Sequence, residues 1–251
     1  MSVSFVVFIV VAVVVVAVAA FCLGAWVSKA TKKESPEAQN TTPYEDCLAK
    51  NANKFKYGSF TDARDGETYR TVKIGGQVWM AENLRYNAED SYPAGNDESN
   101  VKKFGRLYKW TTALGIPAIF SEQSPANDME MYRKIKADNY QGIAPEGWHI
   151  PSSKEWEQLM NNLDSKSNGS ELRSKCVWLE PGTDTLGFFA LPAGYRFDNG
   201  SFCQFGKRAR FWCKDEYGLT NAYRMSLTDE SMDIEGVYRS DALSVRCVKN
   251  A

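Results

Sequence analysis

The N-terminal 27 residues constrain this chain more than any other segment, because they contain a long run without charge. The run extends from Val3 to Val27 and is dominated by valine and alanine. As a helix it would measure roughly 37 Å at 1.5 Å per residue, more than the ~30 Å hydrocarbon core of a bilayer. In lipid the backbone must pair internally, so even a valine-rich run is helical there. We therefore expect residues 1–27 to form a transmembrane anchor.

The same run has features of a signal peptide. Ala17, Val18 and Ala19 resemble a small-x-small cleavage site. Against cleavage, no Lys or Arg precedes the run, and it is longer than the usual apolar region of about 7–15 residues. Cys22 suggests lipidation, but Phe21 is large for the residue before a lipidated cysteine. The residues therefore favour an uncleaved anchor, with cleavage left as the alternative.

Residues 28–44 form the predicted linker. Ser28 to Pro43 contains no large aliphatic or aromatic side chain, a composition typical of a flexible spacer. Three lysines follow the apolar run, and the positive-inside rule alone would keep the C-terminal domain in the cytoplasm. Two nearby glutamates dilute that signal, so charge alone leaves the orientation open.

Residues 45–251 have the composition of one globular domain. The chain has 30 Lys and Arg against 31 Asp and Glu, so it lacks the basic excess typical of nucleic-acid binding, and we expect no nucleic-acid partner. It also has 7 Trp, 12 Tyr and 13 Phe. This aromatic content fits a compact β-rich domain or a surface that stacks on flat ligands.

Local patterns predict several elements. Residues 68–74 and 77–80 are β-prone runs on either side of Gly75-Gly76, which predicts a hairpin. FGRLYKWTTALG, residues 104–115, suits a short helix that Gly115 ends. Residues 117–141 are polar and predict a long irregular surface segment.

GIAPEGWHIPSSKEW, residues 142–156, predicts a strand that leads into a helix. Ser152 and Glu155 form an S-x-x-E capping box. Apolar residues follow at 156, 159, 160 and 163, so we predict a helix over 152–163 with Trp156 in the core.

The C-terminal part predicts short strands. LPAGYRF and SFCQF flank an Asp-Asn-Gly turn at 198–200 and form a second hairpin. RARFWC, AYRMSL and ALSVRCVKN are further strand candidates. Two short helices among many short strands predict an α+β domain with short antiparallel sheets.

Five segments in this order resemble the Fibrobacter succinogenes major paralogous domain family: DARDGETYRTVKIGGQVWMAENL, NDESNVKKFGRLYKW, GIAPEGWHIPSSKEW, GFFALPAGYRF and LSVRCVKN. The resemblance covers about Phe60 to Lys249. The family is similar, distantly, to C-type-lectin-like and formylglycine-generating-enzyme domains. It therefore implies a lectin-like fold in which the 68–80 hairpin meets the 243–249 strand and the two predicted helices flank them.

The resemblance also implies an extracytoplasmic, surface-associated domain, and it supplies no active site. Where family members have a cysteine before PEGWH, this chain has Ala144. The implied export conflicts with the lysines after the apolar run. We follow the family, because five matching segments outweigh three diluted charges, and a folded domain can be exported despite a modest bias.

The single histidine, His149, is predicted to be structural. One imidazole cannot build a multi-histidine zinc or iron site, and its segment supplies no catalytic partners. Its place between Trp148 and Ile150, ahead of the capped helix, favours a scaffold role. We predict no catalytic residue, and we expect His149 to be dispensable for ligand binding.

Five cysteines lie beyond the apolar run, and an odd number leaves at least one unpaired. There is no C-x-x-C motif, and no spacing indicates a metal site. Cys203 and Cys213 form the most local candidate disulfide, which an export environment would permit.

Two acidic segments, AEDSYPAGNDESN at 88–100 and TDESMDIE at 228–235, contain oxygen ligands of the kind that Ca²⁺ prefers. Neither fits EF-hand spacing, and solvated loop charge is the simpler interpretation. A glycosidase pair would need two facing carboxylates about 5–9 Å apart, which a sequence does not show. We predict no metal and no cofactor.

The candidate ligand-binding residues are aromatic or basic side chains in turn-rich segments: Trp178, Tyr195, Arg196, Phe202, Trp212, Tyr217, Tyr223 and Tyr238. Rings and guanidinium groups stack on and hydrogen-bond polysaccharide or protein. We therefore expect a single-pass protein of the cell envelope with an extracytoplasmic, non-enzymatic binding or adhesion domain for a glycan or an envelope protein. The alternatives are a structural subunit of an envelope assembly, or an enzyme of the formylglycine-generating type.

Overall fold

The computed structural model describes residues 43–52, 54–164 and 166–251. The predicted anchor, residues 1–27, and residues 28–42 of the linker lie outside the described residues. Among the residues that are described, no helix is both long enough and apolar enough to cross a bilayer.

The described helices are short. They are α1 (Pro43–Ala52), α2 (Val101–Phe104), α3 (Trp110–Leu114), α4 (Met129–Lys136) and α5 (Ser153–Met160). Single 3₁₀ turns occupy Ala94–Asn96, Glu98–Asn100, Ala118–Ser121 and Pro125–Asn127.

The described strands are also short, and they form two sheets. They are β1 (Gly58–Thr61), β2 (Thr68–Ile74), β3 (Gln77–Met80), β4 (Ser91–Pro93), β5 (Arg106–Lys109), β6 (Trp148–His149), β7 (Tyr195–Arg196), β8 (Phe202–Cys203), β9 (Ala209–Tyr217), β10 (Asn221–Leu227), β11 (Met232–Tyr238), β12 (Ala242–Ser244) and β13 (Val248–Lys249). The first sheet has the order β1-β2-β3-β13-β6, and the second has β11-β10-β9-β12-β5-β4, with β7 paired to β12 and β8 paired to β7. The predicted α+β class is confirmed.

Two predicted local features are confirmed at their predicted positions. The hairpin of β2 and β3 turns at Gly75, whose positive φ of 56° favours glycine. The predicted contact between this hairpin and a strand at 243–249 is confirmed only for β13, where Val248 is opposite Trp79, because residues 242–244 form β12 in the second sheet. The capping box of α5 is complete, since Ser152 accepts from the Glu155 backbone and Glu155 accepts from the Ser152 backbone.

The helix predicted over residues 104–115 is wrong in its first half. Phe104 is the last residue of α2, residues 106–109 form β5, which pairs with β12 and β4, and the predicted helix is present only over residues 110–114. The long-range pairing outweighs the helical preference of this segment. Gly115 ends the helix in the left-handed conformation, as predicted.

Two further segments are more regular than predicted. Within the supposedly irregular residues 117–141, α4 begins after Asp128, whose carboxylate accepts from the backbone of Glu130 and Met131. Within the acidic segment 228–235, residues from Met232 onward belong to the edge strand β11.

The interior contains two large aromatic clusters. One includes Trp110, Trp148 and Trp212, which are at most 3% exposed. In the other, the fully buried Trp156 of α5 packs on Trp79 and on Phe211 of β9, with ring centroids 4.6 and 5.4 Å away. The predicted core position of Trp156 is confirmed, and β9 contributes to both clusters.

The predicted disulfide between Cys203 and Cys213 is wrong. Both thiols are free, because Cys213 packs inside the cluster that contains Trp156, whereas Cys203 packs against the other cluster. The structure instead bonds Cys47 to Cys176, with the Cα atoms 6.2 Å apart. This bond holds α1 against the loop before β7.

Candidate binding surface

The structure separates the eight predicted binding residues into three groups. Trp178 and Trp212 are in the interior, at 5% and 0% exposure. The indole N–H of Trp178 donates to the carbonyl of Ala190 at 2.8 Å, and that of Trp212 donates to Tyr108 at 2.6 Å. Both side chains are satisfied inside the protein, so neither contacts a ligand at the surface.

Three other predicted residues, Tyr217, Tyr223 and Tyr238, lie together at one end of the strands β9, β10 and β11. Asn221 is opposite Tyr217 on one side and Tyr238 on the other. Residues directly opposite one another share a face of the sheet, about 4.5–5.5 Å apart. Tyr223 follows Asn221 by two residues and therefore points to the same face. We call these tyrosines the tyrosine patch.

A glycine makes room for this arrangement. Gly236 of β11 is opposite Tyr223 on the face of the patch. A Cβ added to Gly236 would lie 2.0 Å from the ring of Tyr217. The ring of Tyr217 therefore lies over the bare backbone of Gly236 and meets the ring of Tyr223 edge-on, at 4.9 Å and 71°.

The patch is accessible. Tyr217 is 48% exposed and Tyr238 is 63% exposed, whereas Tyr223 is half-buried and packs against the core below. Leu219, in the turn between β9 and β10, is 76% exposed and adds an apolar side chain at the same end. Leu219 was not among the predicted binding residues, although an apolar leucine in the turn between two strands indicates an exposed contact surface.

A buried arginine fixes the patch from below. Arg239, next to Tyr238, is fully buried and uses each of its guanidinium nitrogens as a hydrogen-bond donor. Its Nε donates to the carbonyl of Asn221 at 3.0 Å, and Nη2 donates to Gly218 at 3.0 Å and to Glu216 at 2.9 Å. Its Nη1 donates to two carbonyls of the loop at 120–123. Burial lowers the pKa of Arg239, and Glu216 opposes that effect.

The third group lies around the β7–β8 hairpin and consists of Tyr195, Arg196 and Phe202. The guanidinium of Arg196 lies 3.9 Å from the ring centroid of Tyr92 and 5.9 Å from that of Phe202. The ring of Tyr195, in turn, is covered by Arg210 at 3.9 Å. Because these groups stack mainly on one another, their faces are less available to a ligand than those of the tyrosine patch.

His149 has a structural environment. It is 2% exposed, and its Nε2 lies 2.7 Å from Oε1 of Glu155 while its Nδ1 lies 2.7 Å from Oδ1 of Asn250. Glu155 is the capping-box residue of α5, and its hydrogen bonds to His149 and Ser152 lower its pKa despite burial. His149 therefore positions the carboxylate that begins the helix and links it to the C-terminus.

The acidic segments are largely engaged by basic side chains. Glu98 accepts from Arg106 at 3.0 Å, and Asp229 accepts from Arg173 at 2.9 Å. Asp233 and Glu235 both face Arg224. Among the described residues, no three His, Cys, Asp or Glu side chains are grouped as metal ligands.

The model of the Fibrobacter succinogenes major domain family matches residues 72–249. No curated protein and no solved structure matches the chain. The matched range includes the tyrosine patch and all strands from β3 to β13.

Proposed function

The chain belongs to the Fibrobacter succinogenes major domain family, and we propose that its domain is a non-enzymatic module that binds a glycan or an envelope protein through the tyrosine patch. The observation that carries the proposal is the grouping of Tyr217, Tyr223 and Tyr238 on one face of adjacent strands. Two of these rings are about half exposed or more, and their backbone belongs to a hydrogen-bonded sheet.

The chemistry of the patch suits a flat ligand with polar edges. Tyrosine offers an apolar ring that packs on the C–H faces of a sugar or on an apolar side chain, together with a hydroxyl that hydrogen-bonds. A tyrosine side chain has only two χ angles, so ordering it on binding costs little conformational entropy. Leu219 extends the apolar area at the rim of the patch.

We place this module outside the cytoplasm, held by an anchor at residues 3–27 in a single-pass envelope protein. The disulfide of Cys47 and Cys176 supports export, because such bonds persist in oxidising compartments. The test is protease digestion of cells whose outer layers are permeable and whose inner membrane is intact. Digestion of the domain is expected, and protection until the inner membrane is lysed would reverse the topology.

We also propose that the fold is a distant variant of the lectin-like arrangement. The pairing of the C-terminal strand β13 with the β2–β3 hairpin supports this relation, as does the long loop-rich segment between α5 and β9. An experimental structure superposed on lectin-like domains would test it.

The binding proposal is tested with the full-length chain in detergent, screened against glycans and envelope proteins. For a ligand found in this way, Tyr238→Ala should weaken binding about 5–30-fold, ~1–2 kcal/mol. Leu219→Ser should weaken it less. Leu179→Ser is the matched control, because Leu179 is 73% exposed and lies outside β9, β10, β11 and the turns that join them.

The outcomes separate the candidate functions. Loss of binding in the patch variants alone supports the module. Equal binding by wild type and both patch variants would place the ligand elsewhere. If the patch variants alter co-purification with a defined envelope assembly but no glycan or soluble protein binds, the structural-subunit alternative is favoured.

A further inference from the structure

The face of the β9–β10–β11 sheet opposite the tyrosine patch carries arginines. Arg210 of β9 is opposite Ser226 of β10, and Arg224, two residues before Ser226, points to the same face. Arg208 precedes Arg210 by two residues and interacts with it electrostatically. We call Arg208, Arg210, Arg224 and Ser226 the arginine cluster.

The cluster contains buried donors without partners. The Nε atoms of all three arginines and the Oγ of Ser226 are buried and have no hydrogen-bond partner among the described residues. Arg210, Arg224 and Ser226 are 9%, 6% and 1% exposed. An unpaired buried donor is unfavourable, and more so when it is charged. Four such donors lie close together on one face of the sheet.

Arg210 is the least compensated member. Arg224 faces Asp233 and Glu235, whereas Arg210 forms no ion pair within 4.0 Å in the described part of the chain. The guanidinium carbon of Arg210 lies 3.9 Å from the ring centroid of Tyr195, and Arg210 is 9% exposed. Burial and the charge of Arg224 lower the pKa of Arg210.

The nearby carboxylates do not fill the gap. Asp241 acts on Arg210 only through longer-range electrostatics, and its carboxylate accepts a hydrogen bond from the backbone of Asp198. Asp233 and Glu235 are directed to Arg224, and their side chains are 35% and 69% exposed at the edge strand β11. Among the described residues, the Arg210 guanidinium therefore has no carboxylate within ion-pair distance, although Asp241 acts on it from further away.

Arg70 is another arginine without side-chain hydrogen bonds, but aromatic rings and a carboxylate enclose its guanidinium. All three guanidinium nitrogens of Arg70 are also buried without hydrogen bonds. However, Arg70 lies between the rings of Tyr57 and Phe189, with Glu82 at 3.6 Å. In Arg210, by contrast, Nε is the only guanidinium nitrogen that is buried without a hydrogen-bond partner.

We propose that the arginine cluster binds an oxyanion, a sulfate or a carboxylate group, with Arg210 as the principal donor and Ser226 as a second donor. A guanidinium edge matches two oxygens of such a group, and charge-assisted hydrogen bonds are roughly twice as strong as neutral ones. The site lies on the opposite face from the tyrosine patch and does not depend on the function proposed for that patch.

The test is calorimetric titration of the full-length chain in detergent with sodium sulfate, sodium glucuronate and glucose, with chloride adjusted to keep the ionic strength constant. Sulfate is an inorganic oxyanion, glucuronate is a sugar that bears a carboxylate, and glucose is the uncharged control. Arg210→Gln should weaken binding of the anions at least about tenfold. Ser226→Ala should weaken it several-fold in a folded protein, and Arg133→Gln on exposed α4 is the charge-matched control.

Binding of sulfate and glucuronate that Arg210→Gln abolishes and Arg133→Gln retains would support an oxyanion site. Preference for glucuronate over sulfate would assign the site to an acidic saccharide, and the reverse preference to an inorganic anion. No heat of binding in the folded wild type, or equal weakening by Arg133→Gln, would overturn the proposal. If Arg210→Gln does not fold, the Ser226→Ala result decides between these outcomes.

Discussion

Replacing Trp156 by alanine should be among the most destabilising single changes in the domain. Trp156 is fully buried, and its ring lies within 6 Å of three others: Trp79 at 4.6 Å, Phe211 at 5.4 Å and Phe188 at 5.9 Å. Removing a buried aromatic ring costs about 3–5 kcal/mol, with aromatic contacts at the upper end.

One term acts in the opposite direction. The indole N–H of Trp156 is buried and has no hydrogen-bond partner, so the wild type already bears a penalty of about 1–3 kcal/mol that alanine removes. The net loss for Trp156→Ala is therefore about 2–4 kcal/mol. For a domain of this size, 1 kcal/mol corresponds to about 2–4 °C, so Tm should fall by about 4–16 °C.

Trp156→Phe separates the two terms. Phenylalanine keeps most of the ring contacts and deletes the unpaired N–H, so its free energy of unfolding should lie within about 1 kcal/mol of wild type. Denaturant titration followed by circular dichroism measures both variants. If Trp156→Phe costs as much as Trp156→Ala, the N–H is satisfied and the reasoning is refuted; an unchanged Tm for Trp156→Ala would show that the core position is misassigned.

Four further changes test other parts of the structure. His149→Gln should cost about 1–2 kcal/mol of stability, because one of two hydrogen bonds is kept, while ligand affinity stays within about threefold; complete loss of binding in the folded variant would contradict the scaffold role. Gly236→Val should displace the ring of Tyr217 and weaken patch binding at least as much as Tyr217→Ala does, and unchanged affinity would show that this ring is not used. Burial raises the pKa of Asp241 to about 6, against about 3.9 in the unfolded chain, so its contribution to stability is present below pH 4 and is lost as the pH rises through 6. The stability advantage of Asp241→Asn over wild type should therefore grow by about 2–3 kcal/mol between pH 4 and pH 7. A pH-independent difference between the two proteins in denaturant titrations would refute this prediction. Cys176→Ser should cost about 2–5 kcal/mol, because the bond closes a separation of 129 residues, and reductant should then have no further effect on the unfolding midpoint.

The features that were predicted correctly depend on local signals. The hairpin at Gly75 and the capping box at Ser152 are each specified within about five residues, and both are in place. The Asp128 cap of α4 is an equally local signal that we overlooked. In contrast, the strand at 106–109 exists because it pairs with β4, which precedes it in the chain, and with β12, which lies more than a hundred residues further on. A single sequence does not contain that information in any local pattern.

The candidate surface shows the same division. The sequence identified Tyr217, Tyr223 and Tyr238 as residues of the right chemistry, but only the register of β9, β10 and β11 brings them onto one face. Because side chains alternate along a strand, a slip of one residue would move Tyr238 to the opposite side. A bulge between Ala222 and Arg224 shifts the pairing of β10 with β9, and the sequence carries no local signal for that bulge.

The neighbouring residues Tyr238 and Arg239 show why composition alone did not distinguish a binding residue from a structural one. Tyr238 is 63% exposed, whereas Arg239, normally the more solvent-exposed residue type, is fully buried. Because side chains alternate along the chain, Tyr238 and Arg239 point in opposite directions. The five hydrogen bonds that Arg239 donates hold the β9–β10 turn against the loop at 120–123. A ligand on the patch therefore meets side chains whose backbone is already fixed. Replacing Arg239 should consequently reduce ligand affinity through the position of the tyrosines, even though Arg239 is itself inaccessible to the ligand.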